Sequence, residues 1–540
     1  MWIVISRIIL RFRLAILLTI IMSSVYMLYQ AKGVQLSYEM AKILPKNSAQ
    51  FKDYENFKHH FGDNKNTMVI GLINPNIFER SNYNAWVNLS HEINTILGVE
   101  STISIDDLPL LVKDSVQKSF NTIPWYKKED QSQEAFNKSV NQLMTQPFYK
   151  GLFYNDESKA SLMLVSVNKE ILKTKEREGL IQLIHQKGEA FAQKQNVTLH
   201  YSGLPYIRTV NSIQIRKEIT LFIILTLLIT AFILYLFFRS VRVTLVSMFV
   251  VIIGVIWSFG SMSIFGFEIS IIMALVPPLI VVIGIPNCIF LLNKFHNEFK
   301  GHKNKIKAIS RIINKVGNIT LLTNLSTASG FAAFVLTKSQ TLKEFGLIAS
   351  MNIMLIFLFS LILIPIALSY FDPPKRKHTQ HLDKKWIKDA VNILIHLVQY
   401  KRTQIYIVTI LLVTLGIFGI SQIRTTGNLT DDLPKSGILY KDIKFFENHF
   451  SGVMPTEILI ETKKKNGVMK LSVLQKIAAL QTVLDSFPEI SRTVSIADFA
   501  KYSKQSFYNG DSSFYALPNT QEKSWILSYT KSMQEDNKLS

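Results

Sequence analysis

A polar group inside an otherwise apolar segment is the first feature of this sequence that could do chemistry. Asn287 and Cys288 lie in the apolar run 269–293, directly after Gly284 and Pro286. Proline removes a backbone donor, so at membrane depth it is tolerated only where neighbours or water satisfy the freed carbonyl. Two interpretations fit: a hinge beside a polar transport site, or a kink whose Asn bonds a neighbouring helix.

A second polar pattern follows in the next apolar segment, where small and polar residues recur at three- and four-residue spacing: Thr320, Thr323, Asn324, Thr327 and Gly330. This spacing predicts one stripe along a helix. Such stripes most often serve only to pack helices together. The alternative hypothesis is that the stripe faces Asn287 across a hydrated path and forms a transport relay with it.

The motifs of several enzyme classes are absent from the sequence. There is no G-x-x-x-x-G-K-[ST] phosphate loop, no G-x-S-x-G nucleophile motif and no H-E-x-x-H zinc motif. His59 and His60 have no Cys nearby, and His60 recurs as His449 beside a repeated Phe, which favours packing over metal binding. We therefore expect no enzymatic activity, no cofactor and no metal.

Composition indicates which elements must position these residues. Of 540 residues, 48% are hydrophobic and 18% charged, with a net charge of +21 and one cysteine. Soluble chains carry about 25% charged residues, so the deficit points to a membrane and excludes collagen-like, disordered and disulfide-stapled proteins. The positive charge fits either nucleic acid binding or basic residues kept in the cytoplasm.

Seven apolar runs are long enough to cross a bilayer: 12–30, 218–238, 242–265, 269–293, 319–337, 344–370 and 403–423. The first run is too long for a cleaved signal peptide and no A-x-A-like site follows it. Basic residues concentrate between spans four and five and between spans six and seven, which places these loops and the N-terminus in the cytoplasm. The charge is then largely a topology signal, and nucleic acid is not an expected partner.

This topology predicts six regions: an interfacial helix and span one (1–30), a first extracytoplasmic domain (31–217), spans two to six with a basic loop at 294–318 (218–371), a cytoplasmic linker with an amphipathic helix (372–402), span seven (403–423), and the start of a second extracytoplasmic domain (424–540). Neither outside segment contains a cysteine. That composition suits a bacterial periplasm, so an inner-membrane location is expected.

The sequence contains an internal repeat. Residues 44–61 align without gaps to residues 433–450, and eight of the 18 positions are identical. Further on, Ser104 to Asp107 is echoed by Ser495 to Asp498. The repeating unit is one span, an outside domain and five more spans, so we expect the second copy to be C-terminally incomplete.

The first outside domain shows a β-α-β-β-α-β order. Strands are expected at 66–73, 100–105 and 196–201, with a hairpin at 152–167 and helices at 78–97 and 170–194. A further helix is expected over about 110–148 as an insertion. The order is the split βαβ, ferredoxin-like pattern. The fold class is thus a polytopic α-helical membrane protein with two such α+β domains, the second incomplete.

This arrangement resembles the RND superfamily, most closely its MMPL-type members and the related sterol-sensing-domain proteins. Residues 281–299 resemble that family's signature in span four, and residues 320–334 resemble its Thr/Ser-rich span five. Phe345-Gly346 and Gly203-Leu204-Pro205 also resemble the family pattern. The resemblance implies export of a hydrophobic or lipid-like substrate, with membrane lipids and a homo-oligomer or a periplasmic protein as partners.

One departure from the family pattern concerns energy coupling. Proton-driven members resembling this pattern carry Asp-Tyr where this sequence has Asn287-Cys288, and Asn cannot bind and release a proton. Glu218 and Glu344 are the first residues of their runs, and no Asp or Glu lies deeper inside any of the seven predicted runs. The expected function is therefore RND-like export, with proton drive left open. The alternative is a non-transporting, sterol-sensing-like protein that binds lipid or regulates a partner.

Overall fold

The computed structural model describes residues 2–34, 48–61, 66–126, 132–270, 272–371, 385–423, 434–452, 456–487 and 490–535. The chain forms two compact units, one of Met1–Tyr54 with Ser212–Gly427 and one of Glu55–Asn211 with Asn428–Ser540. Parts of the predicted linker 372–402, of the start of the second domain and of the repeat at 44–61 lie outside the described residues.

In chain order the helices are α1 (Trp2–Arg11), α2 (Arg13–Ala31), α3 (Ala49–Phe61), α4 (Arg80–Asn94), α5 (Gln133–Met144), α6 (Lys169–Leu172), α7 (Glu176–Gln195), α8 (Leu204–Phe238), α9 (Val241–Ile264), α10 (Val276–His302), α11 (Lys305–Ala332), α12 (Gln340–Tyr370), α13 (Lys385–Tyr400), α14 (Arg402–Ser421), α15 (Ile438–Phe450), α16 (Leu471–Leu484), α17 (Ile496–Phe507) and α18 (Thr520–Glu535). The strands are β1 (Thr67–Ile73), β2 (Val99–Ile103), β3 (Pro109–Asp114), β4 (Ser119–Pro124), β5 (Tyr154–Asn155), β6 (Ala160–Val167) and β7 (Leu199–Ser202).

Seven of the described helices are long and apolar enough to cross a membrane: α2, α8, α9, α10, α11, α12 and α14. The prediction of seven spans is confirmed, and the protein is a polytopic, mostly helical membrane protein. Small residues let three of the spans approach closely. A Cβ on Gly254 of α9 would come within 2.5 Å of Ile356 on α12, and one on Gly284 of α10 within 2.9 Å of the same side chain.

The predicted basic loop at 294–318 is wrong. α10 continues to His302 and α11 begins at Lys305, so most of this segment is helical. Asn304 caps α11 by accepting a hydrogen bond from the backbone N–H of Lys307 at 3.0 Å. Hydropathy missed these helix ends because they are charged, and their charges pair with one another. Glu298 near the end of α10 accepts from Arg311 at 3.2 Å and from Lys315 at 3.0 Å on α11.

The second unit is built on an antiparallel sheet of order β2-β6-β1-β7, with β5 paired to β6. Met68, Ile70 and Leu72 alternate along β1 and are fully buried in one core with Trp86 of α4. The intervening residue Gly71 lies on the other face, where α15 packs. Both faces of β1 are therefore covered.

The predicted helix at about 110–148 is wrong over its first half. Residues Pro109–Asp114 and Ser119–Pro124 form the hairpin β3-β4, and helix α5 covers only Gln133–Met144. The turn is stabilised by Asp114, whose carboxylate accepts from the backbone N–H groups of Val116 at 2.8 Å and Gln117 at 3.0 Å.

The segment after α14 contains helices but no strand among residues 434–452, 456–487 and 490–535. α17 packs on the hairpin, where the backbone N–H of Leu111 donates to the hydroxyl of Tyr502 at 3.0 Å. α18 adds a ring contact between Phe120 and Tyr529 at 5.6 Å. Through α17 and α18, the described residues of this part of the chain thus pack onto the hairpin β3-β4.

Candidate functional site

The centre of the candidate site is a buried pair of amides that joins two spans. Asn287 of α10 donates through Nδ2 to Oδ1 of Asn324 on α11 at 3.1 Å, and Asn324 donates back to Oδ1 of Asn287 at 2.9 Å. Asn324 also donates to the carbonyl of Thr320 at 2.7 Å. Asn287 is 6% exposed and Asn324 3%. Each amide satisfies the other, and no charge is present.

The local sequence explains why these side chains meet. Thr320 and Asn324 are four residues apart, so they lie on one side of α11, and both are buried there with Ala328. The hydroxyl of Thr320 donates to the carbonyl of Val316 at 2.8 Å, which satisfies it within its own helix. The helical period therefore places one side of α11 against Asn287, as the stripe hypothesis requires of these two residues.

The remaining stripe residues do not face Asn287. Thr323 and Gly330 are exposed and Thr327 is half-buried. The hydroxyls of Thr323 and Thr327 donate to the carbonyls four residues earlier, both at 2.9 Å. A three-residue step turns a side chain well away from its four-residue neighbour around the helix, so the single stripe separates into a buried side and an exposed side.

Pro286 does not break α10, which runs as one helix from Val276 to His302. Gly284 has a packing role, since a Cβ at this position would come within 2.9 Å of Ile356 on α12. Pro277 and Pro278 lie in the first turn of α10, where backbone N–H groups have no helical partner to lose. The two proline signals in this span thus differ, and only Pro286 removes an internal hydrogen bond.

Cys288 belongs to a different buried polar group on the other side of α10. Its Sγ lies 3.9 Å from Oγ of Ser360 on α12, and the hydroxyl of Ser360 in turn donates to the carbonyl of Ile356 at 2.7 Å. The thiol is fully buried, so it acts as a small packing group beside a weak hydrogen bond. The structure does not bring Cys288 together with the Asn287 pair.

Sequence reasoning missed a second interhelical amide contact. Nδ2 of Asn352 in α12 donates to Oγ of Ser261 in α9 at 2.9 Å and to the carbonyl of Ile348 at 2.9 Å. It also missed His296, which is buried in α10 with its ring 5.8 Å from that of Phe238. The signal was present for Asn352, a polar residue in an apolar helical run, but not for His296, which lies beyond the predicted run among Lys294, Asn297 and Glu298.

The hydrogen bonds described above link α10 with α11 and α9 with α12, and side-chain amides are their donors. Among the described residues, no group of three or more His, Cys, Asp or Glu side chains could hold a metal ion. The chemistry available at the amide pair is exchange of hydrogen bonds with water or a polar substrate group. Proton uptake by a carboxylate at this position is excluded by the residue type.

Comparison with known proteins supports the same class of protein. The sequence profile of the MMPL family matches residues 115–392, just over half of the chain. A protein from Methanocaldococcus jannaschii, described as a membrane protein, is 20% identical over 370 residues, which cover 65% of this chain and 88% of that relative. The family match includes α8 to α12 and therefore the amide pair. The chain belongs to the MMPL family of membrane proteins.

Proposed function

We propose that this protein is an inner-membrane, RND-like transporter that exports a hydrophobic or lipid-like substrate and carries out no enzymatic reaction. One observation carries the proposal within an MMPL-family chain: the reciprocal Asn287–Asn324 pair inside the bundle. A buried interhelical amide pair holds two spans together by about 0.6 to 2 kcal/mol. An interaction of that size can be broken and remade when α10 and α11 move relative to each other.

The proposed topology places the N-terminus in the cytoplasm and the second unit outside. The basic ends of α10 and α11, which include Lys300, Lys303 and Lys307, support a cytoplasmic position for that turn. For the outside segment we propose a ferredoxin-like fold. The antiparallel order β2-β6-β1-β7, with α4 and α7 as the two connecting helices, is the order expected of a split βαβ unit.

A non-transporting, lipid-binding regulator of the sterol-sensing type is the second candidate. It is favoured by the residue at position 287, because an Asn–Asn pair has no proton to release and cannot couple a proton gradient to movement. The two candidates differ in whether substrate crosses the bilayer and whether a proton gradient changes its rate.

The test is movement of a nitrobenzoxadiazole-labelled phospholipid in vesicles that contain the purified full chain, with and without an imposed proton gradient. Transport predicts protein-dependent movement that Asn287→Leu abolishes. Thr323→Val is the matched control. It removes a hydroxyl of the neighbouring span α11 that donates only to the backbone of its own helix, so it should leave movement unchanged.

Three other outcomes decide between the candidates. Binding of the labelled lipid without movement supports the regulator. A second outcome is that the rate of lipid movement is independent of the proton gradient in the wild type but depends on it in Asn287→Asp. This outcome supports transport without proton coupling at this position. If the labelled lipid neither binds nor moves, both candidates are contradicted. Folded protein is checked by elution as a single species after each substitution.

A further inference from the structure

The amphipathic helix α1 is firmly docked along one side. Trp2, Ser6 and Ile9 are buried against the bundle. The indole of Trp2 lies where a Cβ on Gly317 would come within 3.0 Å of its ring, and its Nε1 donates to Oδ1 of Asn318 at 2.9 Å. The hydroxyls of Ser6 and Ser310 are 3.2 Å apart. These contacts fix the rotation of α1 about its own axis.

That rotation decides where the basic residues of α1 lie. Arg7 and Arg11 are exposed and one helical turn apart, so they lie together on the side opposite Trp2, Ser6 and Ile9. Val4 and Ile8 beside them are 59% and 48% exposed. The outer side of α1 therefore combines two neighbouring guanidinium groups with apolar side chains.

Nearby basic residues on the same end of the bundle are already satisfied by protein groups. The guanidinium of Arg13 lies 4.4 Å from the ring centroid of Tyr370 and donates to Oγ of Ser369 at 3.3 Å. Nζ of Lys305 donates to the carbonyl of Ser369 at 2.7 Å. For Arg7 and Arg11 the described residues supply no carboxylate partner, and the guanidinium of Arg11 lies 5.5 Å from the ring centroid of its exposed neighbour Phe12.

We propose that the outer side of α1 binds the phosphate of an anionic phospholipid in the adjoining leaflet, through Arg7 and Arg11. Guanidinium groups pair with phosphate in a two-bond geometry, and two of them one turn apart can share one headgroup. Val4 and Ile8 contact the first part of the acyl chains, as the apolar side of an interfacial helix does. The binding holds α1 in the membrane surface while Trp2 holds it on α11.

This inference concerns the protein without substrate or a proton gradient, and it does not depend on whether the chain transports substrate. It is tested by native mass spectrometry of the purified full chain after equilibration with equal amounts of phosphatidylglycerol and phosphatidylcholine in detergent. We expect preferential retention of phosphatidylglycerol by the wild type. Each arginine near an anionic surface contributes a factor of roughly five to the preference, so Arg7→Gln with Arg11→Gln should remove most of it.

Two matched variants make the result specific. Arg13→Gln removes a charge two residues after Arg11 that already has protein partners, so this variant should keep the lipid preference. Lys338→Gln with Lys343→Gln removes the same net charge near the other end of α11 and α12 and should also keep it. The Arg7 and Arg11 double variant should retain the wild-type unfolding temperature, because both side chains are exposed.

Several results would overturn the proposal. One is equal lipid preference in the wild type and the Arg7 and Arg11 double variant. Another is an equal loss in Arg13→Gln or in the lysine variant, which would indicate a diffuse positive potential instead of a site on α1. Release of the retained lipid by millimolar inorganic phosphate would show that a free anion, not a membrane lipid, is the ligand.

Discussion

Two helices of this protein share a sequence pattern but differ in how many of their residues are buried. α3 and α15 occupy equivalent places in the internal repeat and carry the same Lys, Asp, Phe, His and Phe at aligned positions. α15 buries Leu439, Asp442, Ile443, Phe445 and Phe446, whereas no residue of α3 is buried. The shared residues are sufficient for a helix, and burial depends on the surface that the helix meets.

The surface that α15 meets is the open face of the antiparallel sheet. Gly71 leaves room for Phe445 and Phe446, whose ring atoms would lie 2.6 and 3.0 Å from a Cβ at that position. His200 of β7 stacks on Phe445 with ring centroids 4.2 Å apart. Nδ1 of His200 also lies 2.9 Å from Oδ1 of Asp442, which is 3% exposed. A polar pair and an aromatic pair together fix the position of the helix.

The largest expected effect is at the shared phenylalanine. Phe446→Ala should reduce the free energy of opening of α15 by about 3 to 5 kcal/mol, because it removes a buried ring from a packed cluster. The aligned change Phe57→Ala should cost less than about 1 kcal/mol, since Phe57 is only half-buried. Hydrogen exchange of residues 438–450 and 49–61 measures both. Equal losses of protection would show that α3 is packed as α15 is.

At the shared aspartate, the two aligned substitutions should differ less in their effect on stability. Asp442→Asn replaces a charge-assisted bond to His200 by a neutral one and should cost about 1.5 to 3 kcal/mol in the same measurement. Asp53→Asn, at an exposed position of α3, should change protection by less than about 0.5 kcal/mol. If His200→Gln is combined with Asp442→Asn, the two losses should add only in part, because both variants alter the His200–Asp442 contact while His200→Gln also removes the ring that stacks on Phe445.

The same comparison shows which parts of the structure a sequence can predict. Helical period and hydropathy are local, and they predicted the seven spans. They also predicted a single stripe on α11, but they did not separate the buried Thr320 and Asn324 from the exposed Thr323. Contacts between distant segments are not local. His200 and Asp442 are 242 residues apart, and neither neighbourhood signals the other. The hairpin β3-β4 was missed for a related reason, since its apolar residues also pack on α17 and α18 of a remote segment.

The second pair of repeated motifs shows the opposite behaviour. Ser104 and Ser495 both form reciprocal caps, with Asp107 and Asp498 as the partners that accept from the capping backbone N–H. Ser104→Ala and Ser495→Ala should therefore each lower the free energy of opening of the capped turn by a similar amount, about 1 kcal/mol. Hydrogen exchange of the two capped turns measures this. A difference above about 1 kcal/mol would mean that packing beyond the cap dominates, as it does for α3 and α15.

The smallest effect expected is a pH dependence at the second cap. Burial raises the pKa of Asp498, but hydrogen bonds from Gln481 and from the backbone N–H of Ser495, with the nearby Lys501, outweigh it and hold the pKa below its ordinary value of 3.8. A carboxyl whose pKa is lowered on folding contributes stability that is present above its unfolded pKa and is lost as pH falls through the folded value. Protection of α17, corrected for the intrinsic exchange rate, should therefore be constant near neutral pH and decrease below about pH 4. Asp498→Asn should remove that decrease, because the amide has no proton to take up. A decrease that persists in Asp498→Asn would assign the acid sensitivity to another carboxyl in the same segment, and the two caps would then differ by their surroundings instead of their own hydrogen bonds.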